Sequence, residues 1–328
     1  MVMYGHTPVL LKETLDVLSK VQEPALMIDA TLGLAGHAIA FLEHFPRLSL
    51  IGVDADASML EEAEKRLFAY KERCTLVHQF FDEFFLNFNK GGQKADIILF
   101  DLGVSMVHFK EARRGFSLME DEVLDMRLNT TTGRTALQLI EMSTERGLVH
   151  MLRLYGEEQF AVPIARAIIK ARDNHELRTA RELAELVKQT VPARLRYGKI
   201  HPATKTFQAL RIAVNDELGR VERALDQAIH ALSKHGCIGV ISFHSLEDRI
   251  VKQTFMKYVE KKSVNKYAEQ KSSKTLQKTP ISPMGAQTNL DKVELELLVK
   301  KPITASHEEV KQNPASRSAK LRAVMRKG

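Results

Sequence analysis

At 328 residues the chain is long enough for about two domains, and its 44% apolar share is ordinary for a globular protein. Cys74 and Cys237, the two cysteines, both sit in apolar strand-like surroundings, which argues against a disulfide framework or a zinc site; we expect no metal and a reducing, cytoplasmic setting. No run approaches the ~18 apolar residues of a membrane span, and Met1–His6 lacks the basic and apolar regions of a secretion signal. The net charge of +7 is uneven: residues 258–328 hold 15 Lys+Arg against 7 Asp+Glu, while the first 257 hold 33 against 34. A neutral body with a basic end suggests a polyanionic partner such as nucleic acid, or else a solvated lysine-rich loop.

In chain order, Thr7 and Pro8 suit the N-cap and first position of a helix carrying Leu11, Leu15 and Leu18 on one stripe. His6 and Glu13 either face a ligand or are polar positions at a helix start. An apolar strand, Ala25 to Ile28, then ends in Asp29. A loop of small residues follows, with Thr31, Gly33, Ala35 and Gly36, and a helical pattern begins at His37. Strand, glycine turn and helix in that order make a nucleotide cradle, because glycine permits close backbone approach and the helix start offers free N–H groups. Only Gly33 and Gly36 of a G-x-G-x-x-G fingerprint remain, which weighs against a dinucleotide. An ordinary βα turn would have the same glycines.

The next strand, Leu50–Val53, ends at Asp54, 21 positions after Gly33. An acidic residue about 20 residues past the glycine loop accepts bonds from ribose hydroxyls. Asp54 is assigned to ribose, and Asp56 to capping the amphipathic helix expected over 57–71. A loose glycine turn with a ribose carboxylate suggests S-adenosylmethionine in a class I methyltransferase core, an α/β, Rossmann-like, doubly wound sheet. Thr75–His78 reads as a third strand. The phenylalanines at 80, 81, 84, 85 and 88 have helix-like spacing and are mostly core, with Phe81 the candidate to stack on adenine.

Ala95–Phe100 is a fourth strand, running into Asp101-Leu102-Gly103-Val104-Ser105. A carboxylate and glycine turn at that strand end is a candidate catalytic loop, or a simple turn cap. The βα rhythm then stops. Arg113–Ser117 and Leu124–Arg127 read as ordered loops, followed by helices over 135–143, 145–154, 157–173 and 179–190. Thr179 and Glu182 make a capping box for the last. This reads as a helical domain over 110–206, inserted between core parts 1–109 and 207–328. Its Arg166, Lys170, Arg172, Arg178 and Arg181 either contact phosphate or form a solvated face. Helices over Gln208–Val214 and Asp216–Ser233 return the chain to a fifth strand, Gly239–Phe243. Ser245 is read as the next N-cap, with Asp248 reaching back. Residues 261–289 read as a basic mobile loop, Val293–Val299 as a last strand, and Lys311–Gly328 as a basic arm with six cations and no acid.

Eight stretches together resemble one family. They are His6–Glu13, Asp29–His37, Asp101–Ser105, Arg114–Ser117, Leu124–Arg127, His201–Arg211, Ser242–Asp248 and Asn313–Arg322. In this order they are similar to the bacterial ribosomal small-subunit RNA methyltransferase H (MraW) family over nearly the whole chain. The resemblance implies methylation of the N4 amine of one cytidine in the decoding region of 16S rRNA, with S-adenosylmethionine as donor. It implies cofactor contacts at Ala35, Gly36, His37, Asp54, Phe81, Asp101 and His108; Gly33 is added from the loop reading. Ala35 stands where the family usually has Gly, Met106 where it has Ser, His108 where it has Gln, and Ala315 where it tends to have Arg.

The N4 amine is a poor nucleophile because its lone pair delocalises into the ring. Many amino-methyltransferases answer this with an Asp/Asn/Ser-Pro-Pro-aromatic motif, whereas this chain has Asp101-Leu-Gly-Val-Ser105. We expect Asp101 to orient cofactor or amine and Ser105 to fix the loop, with Phe116 or His244 holding an unstacked base. Two rivals are a methyltransferase with a protein or small-molecule acceptor, and a non-catalytic rRNA-binding assembly factor. Oligomeric state is left open.

Overall fold

The computed structural model of the protein describes residues 8–103, 113–198, 200–259 and 293–328. A strand buried on both faces needs an unbroken apolar run. Leu26–Asp29 (β1) and Ala95–Asp101 (β4) are such runs, and with Ser49–Asp54 (β2), Cys74–His78 (β3) and Leu232–Ser242 (β5) they lie parallel in the order β3-β2-β1-β4-β5, with the half-exposed β3 at the edge. The order reverses between β1 and β4, so a crevice opens at the C-terminal ends of these strands. Ile98 and Phe100 of β4 enter one core, while Ile97 and Leu99 enter the core on the opposite face.

The first helix, Leu11–Leu18 (α1), starts later than the sequence suggests. Leu10 occupies its N-cap in the left-handed region at φ 53°, and Pro8 lies before the helix rather than at its first position. Gly36–His44 (α2) begins beneath Pro8: a Cβ on Gly36 would come 2.4 Å from Pro8 Cγ, so only glycine fits there. Asp56 caps Ala57–Arg66 (α3), its carboxylate accepting the Ser58 N–H at 3.0 Å. The expected helix over 57–71 stops at Arg66 and continues as a 3-10 turn over Phe68–Arg73. Phe81–Phe88 (α4) follows β3.

After β4 come the helices Ala136–Met142 (α5), Glu145–Gly156 (α6), Ala161–Asp173 (α7), Ala180–Thr190 (α8) and Thr204–Asn215 (α9). They share a separate apolar core in which Phe116, Leu124 and Met126 pack with Ile140, Leu152 and Ile168. Phe207, Ala209 and Leu210 place α9 in the same core. Thr179 and Glu182 form the expected capping box, and Pro163 falls in the first turn of α7, where a missing N–H costs nothing. Buried Asn215 fastens the end of α9 to the loop before α5: its Nδ2 donates to Met126 O and its Oδ1 accepts from Leu128 N, both at 2.8 Å.

Glu217–Ala231 (α10) leads back to β5, and Ser245–Tyr258 (α11) leaves it. With α4 these helices cover one sheet face, while α1 and α2 cover the other. The cap of α11 is His244, paired reciprocally with Glu247, and not Ser245 with Asp248. The expected strand over Val293–Val299 shortens to Leu295–Leu297 (β6); Ile303–Thr304 (β7) and His307–Gln312 (α12) follow. The largest departure is the end of the chain. Lys320–Arg326 (β8), read above as part of a basic arm, is a strand, antiparallel to β5 on one side and to β6 and β7 on the other. Its Leu321, Ala323 and Val324 are buried, and Arg322 binds Asp248 of α11 at 2.7 Å. The expected loop over 261–289 lies outside the described residues. No helix among the described residues is long and apolar enough to cross a membrane.

Candidate active site

The crevice at the switch point holds a cavity of about 440 Å³, walled by the turn after β1, the ends of β2 and β4, and α9 of the inserted helices. Each wall follows from local chemistry. β1 ends in Asp29, which is 2% exposed and accepts the Thr31 N–H at 3.2 Å. Thr31 Oγ1 in turn accepts the Asp101 N–H at 2.6 Å, which ties the turn to the end of β4. Gly33 adopts φ +50° and donates its N–H to Asp54 Oδ2 at 2.8 Å, while Asp54 Oδ1 accepts the Asp56 N–H at 2.9 Å. Asp54 therefore holds the glycine turn from below.

Ala35 sits at φ 59° as the N-cap of α2. His37, one residue into that helix, is buried, with Nε2 3.0 Å from the Val9 carbonyl. A carbonyl only accepts, so Nε2 carries the proton and Nδ1 is the ring nitrogen that faces Asp101 Oδ2, 3.7 Å away. Burial, with Asp29 and Glu247 adding like charge, drives the Asp101 carboxyl well above the usual carboxylate range. Its Oδ1 is buried without a hydrogen-bond partner among the described residues. Asp29 is pushed up to about 7, chiefly by burial, with the Thr31 N–H opposing and Asp54 reinforcing.

Across the cavity stands a second polar group. Glu247 accepts the Phe243 N–H at 2.8 Å and lies 3.1 Å from His244 Nε2. Burial raises its pKa, but His244, the Phe243 N–H and Arg211 outweigh burial and hold it ionised below its ordinary value. Arg211 of α9 grips Glu217 with two bonds, at 2.8 and 2.9 Å. Ligand atoms of Glu217, His244 and Glu247 lie within 4.8 Å of one another, a spacing open to a cation. The Arg211 guanidinium already neutralises Glu217, which makes the trio a poor metal site.

Phe80 and Phe81 both line the cavity. Arg220 covers Phe80 at 3.5 Å from the ring centroid, whereas Phe81 meets the buried Phe100 edge-on at 5.5 Å. Gly33, Gly36, His37, Asp54, Phe81 and Asp101 thus converge on one cavity, and Ala35 lies buried behind it. Phe116 and His244 also line it. Ser105, Met106, His108 and His6 lie outside the described residues. The sequence reading placed Asp29 and Thr31 in the cradle without giving either a site role, and it did not single out Arg211, Glu217 or Glu247. For Arg211 and Glu247 the only signal was their place in the quoted stretches His201–Arg211 and Ser242–Asp248, and Glu217 had none. Arg114, in another motif, bridges from the inserted part to Asp56 and also bonds the carbonyls of Arg127 and Leu128, each at 2.9 Å.

Residues 3–327 match the model of the MraW methylase family. A Treponema denticola protein named ribosomal RNA small subunit methyltransferase H is 43% identical, covering 97% of this chain and 96% of its own. Proteins of the same name from Sulfurihydrogenibium sp. and Paenibacillus sp. are 43% and 42% identical; these cover 99% and 98% of this chain, and 100% and 99% of their own. A match along nearly the whole chain, gathering its motif residues around one cavity, means that the chain belongs to the MraW methylase family.

Proposed function

We propose that this protein is an S-adenosylmethionine-dependent methyltransferase acting on the N4 amine of a specific cytidine in the decoding region of 16S rRNA. The observation that carries this reading is 43% identity, over nearly the full chain, with a protein named for small-subunit ribosomal RNA methylation. The cavity residues fit the cofactor. Asp54 and Asp101 line the cavity, with buried Asp29 close enough to both to raise its own pKa and that of Asp101; these acids suit a sulfonium cation, and Asp101 Oδ1 is buried with no hydrogen-bond partner among the described residues. S-adenosylmethionine supplies an electrophilic methyl group at that end. Asp54 receives the ribose hydroxyls and Phe81 the adenine. The turn from Gly33 through Ala35 and Gly36 approaches the ligand by its backbone, while His37 and His108 complete the contacts.

Asp101 accepts an N–H of the target amine, which fixes the nitrogen's lone pair toward the methyl group. Such alignment is worth on the order of 7–11 kcal/mol when complete. Nitrogen becomes positive as it gains the methyl group and must lose a proton. A sulfonium cation beside Asp101 favours the ionised form of its carboxyl against the upward push of burial, and in that form it can take the proton. Ser105 fixes the loop that follows. The inserted part, reading 110–206 as the RNA-recognition domain, supplies the wall that admits the unstacked base, with Phe116 and His244 against it.

The test uses labelled-methyl S-adenosylmethionine and small ribosomal subunits from cells lacking the enzyme, followed by nucleoside analysis. Label in N4-methylcytidine from one rRNA site is the expected result. Cofactor binding without label in RNA would assign a protein or small-molecule acceptor instead. RNA binding without cofactor binding would assign a scaffold role in assembly.

A further inference from the structure

The loop between α8 and α9 has a composition that core packing does not explain. From Leu186 to Asn215 the chain carries six cations, Lys188, Arg194, Arg196, Lys199, Lys205 and Arg211, and no Asp or Glu. Within this stretch Tyr197 is 85% exposed, Ile200 73% and Leu195 41%, although the flanking Val191 and Ala203 are buried. Three large apolar side chains in six residues are thus left in water beside Arg194 and Arg196, while Lys188 pairs with Glu185 at 3.3 Å and Arg211 with Glu217 at 2.8 Å.

The loop is also held in place. The Arg196 guanidinium donates to the carbonyls of Val191 at 3.1 Å and Gln189 at 2.8 Å. Lys188 Nζ stands 5.8 Å from the Tyr197 ring centroid. Arg196 is therefore spent on shaping the loop, while Arg194 points its charge into solvent. Seven residues after Tyr197, α9 begins at Thr204, and its Thr204, Phe207, Gln208 and Arg211 line the cavity. At full extension seven residues span at most about 25 Å, only a few nucleotides of single strand.

We infer that this loop is the landing site for single-stranded RNA beside the target base, with Tyr197 stacking on one base and Arg194 meeting a phosphate. The inference rests on the methyltransferase reading above and extends it to the strand outside the cavity. An aromatic face among cations is how proteins hold unpaired RNA, since every base offers a π-face and every nucleotide a phosphate.

The chain contains no tryptophan, so Tyr197→Trp creates a single fluorescent reporter at the proposed contact. Protein-free 16S rRNA should quench it along a saturable curve. Heparin, a polyanion without bases, should bind without quenching. In steady-state transfer to small subunits, Tyr197→Ala should raise KM about tenfold, the loss of one stacked base. Its kcat should stay within about twofold, and Tyr197→Phe should restore KM. RNA that binds without quenching, together with a Tyr197→Ala KM within about twofold of the parent, overturns the landing site and leaves the methyltransferase reading standing. If the parent transfers no methyl group to RNA, that reading falls by itself, and the tryptophan signal still decides whether RNA lands here.

Discussion

Two carboxylates decide the chemistry at the level of single residues, and they differ in how the fold satisfies them. Asp54 is bonded by two backbone N–H groups and acts as a fixed acceptor, whereas Asp101 Oδ1 has none among the described residues and is forced toward its protonated form. Removing Asp101 should therefore cost catalysis and spare folding. Asp101→Ala is expected to lower methyl transfer by about 10²–10⁴-fold, the range of a general base, with a melting temperature no lower than the parent's, since it removes a buried carboxyl that the fold does not satisfy. An active, well-folded variant would sink the assignment. Ala35 poses a backbone question. Its left-handed φ of 59° costs a non-glycine residue about 1–2 kcal/mol. Ala35→Gly relieves that strain, loses a buried methyl worth about 0.8 kcal/mol, and frees the unfolded chain by about 0.4–1 kcal/mol. The three nearly cancel, so urea unfolding should shift by less than about 0.5 kcal/mol. Ala38→Gly, equally buried but inside α2, has no strain to relieve and should cost about 2 kcal/mol. Equal losses in the two variants would mean that the strain at Ala35 is not felt.

Element by element, what could be read from the sequence followed from how each strand meets the core. β1, β2 and β4 are buried on both faces and appear as plain apolar runs, so they, the glycine turn and Asp54 were legible. β8 was not, because Lys320, Arg322 and Arg326 alternate with or follow its buried residues and disguise a central strand as a basic tail. Its charge is absorbed locally: Arg322 and Lys320 outweigh burial and keep the Asp248 carboxyl below its usual range. His244 was missed as a cap because imidazole is not among the ordinary capping groups. A consequence follows for the chain end. A protein ending after Ala319 loses the partner of β5 on one side and of β6 and β7 on the other. It should fail to unfold cooperatively in a circular-dichroism melt, whereas removing a basic arm would leave the melt unchanged.

For the molecule as a whole, the cost of gathering acids at the switch point should appear as a pH dependence of stability. Asp29 is nearly fully buried, and its folded pKa of about 7 stands above the ordinary carboxyl value of 3.8 that it keeps in an unfolded chain. Between those values the folded state binds the proton that the unfolded state has released, so stability falls as pH rises toward 7. From pH 5 to pH 8 the loss attributable to Asp29 is on the order of 2–3 kcal/mol. Asp29→Asn keeps an oxygen for the Thr31 N–H and removes the titration. It should match the parent in urea only below about pH 3.8, where Asp29 is neutral in both the folded and the unfolded chain, and exceed it by a growing margin from pH 5 to pH 8. Ligand binding should show the same electrostatics from the other side, because a cation placed among these carboxylates favours their ionised forms. S-adenosylmethionine should bind the parent more tightly as pH rises through 7, and its neutral thioether product should show a weaker trend. Identical pH slopes in the parent and Asp29→Asn would place the source of the stability change elsewhere. Identical trends for the two ligands would separate the acidic end of the cavity from recognition of the sulfonium.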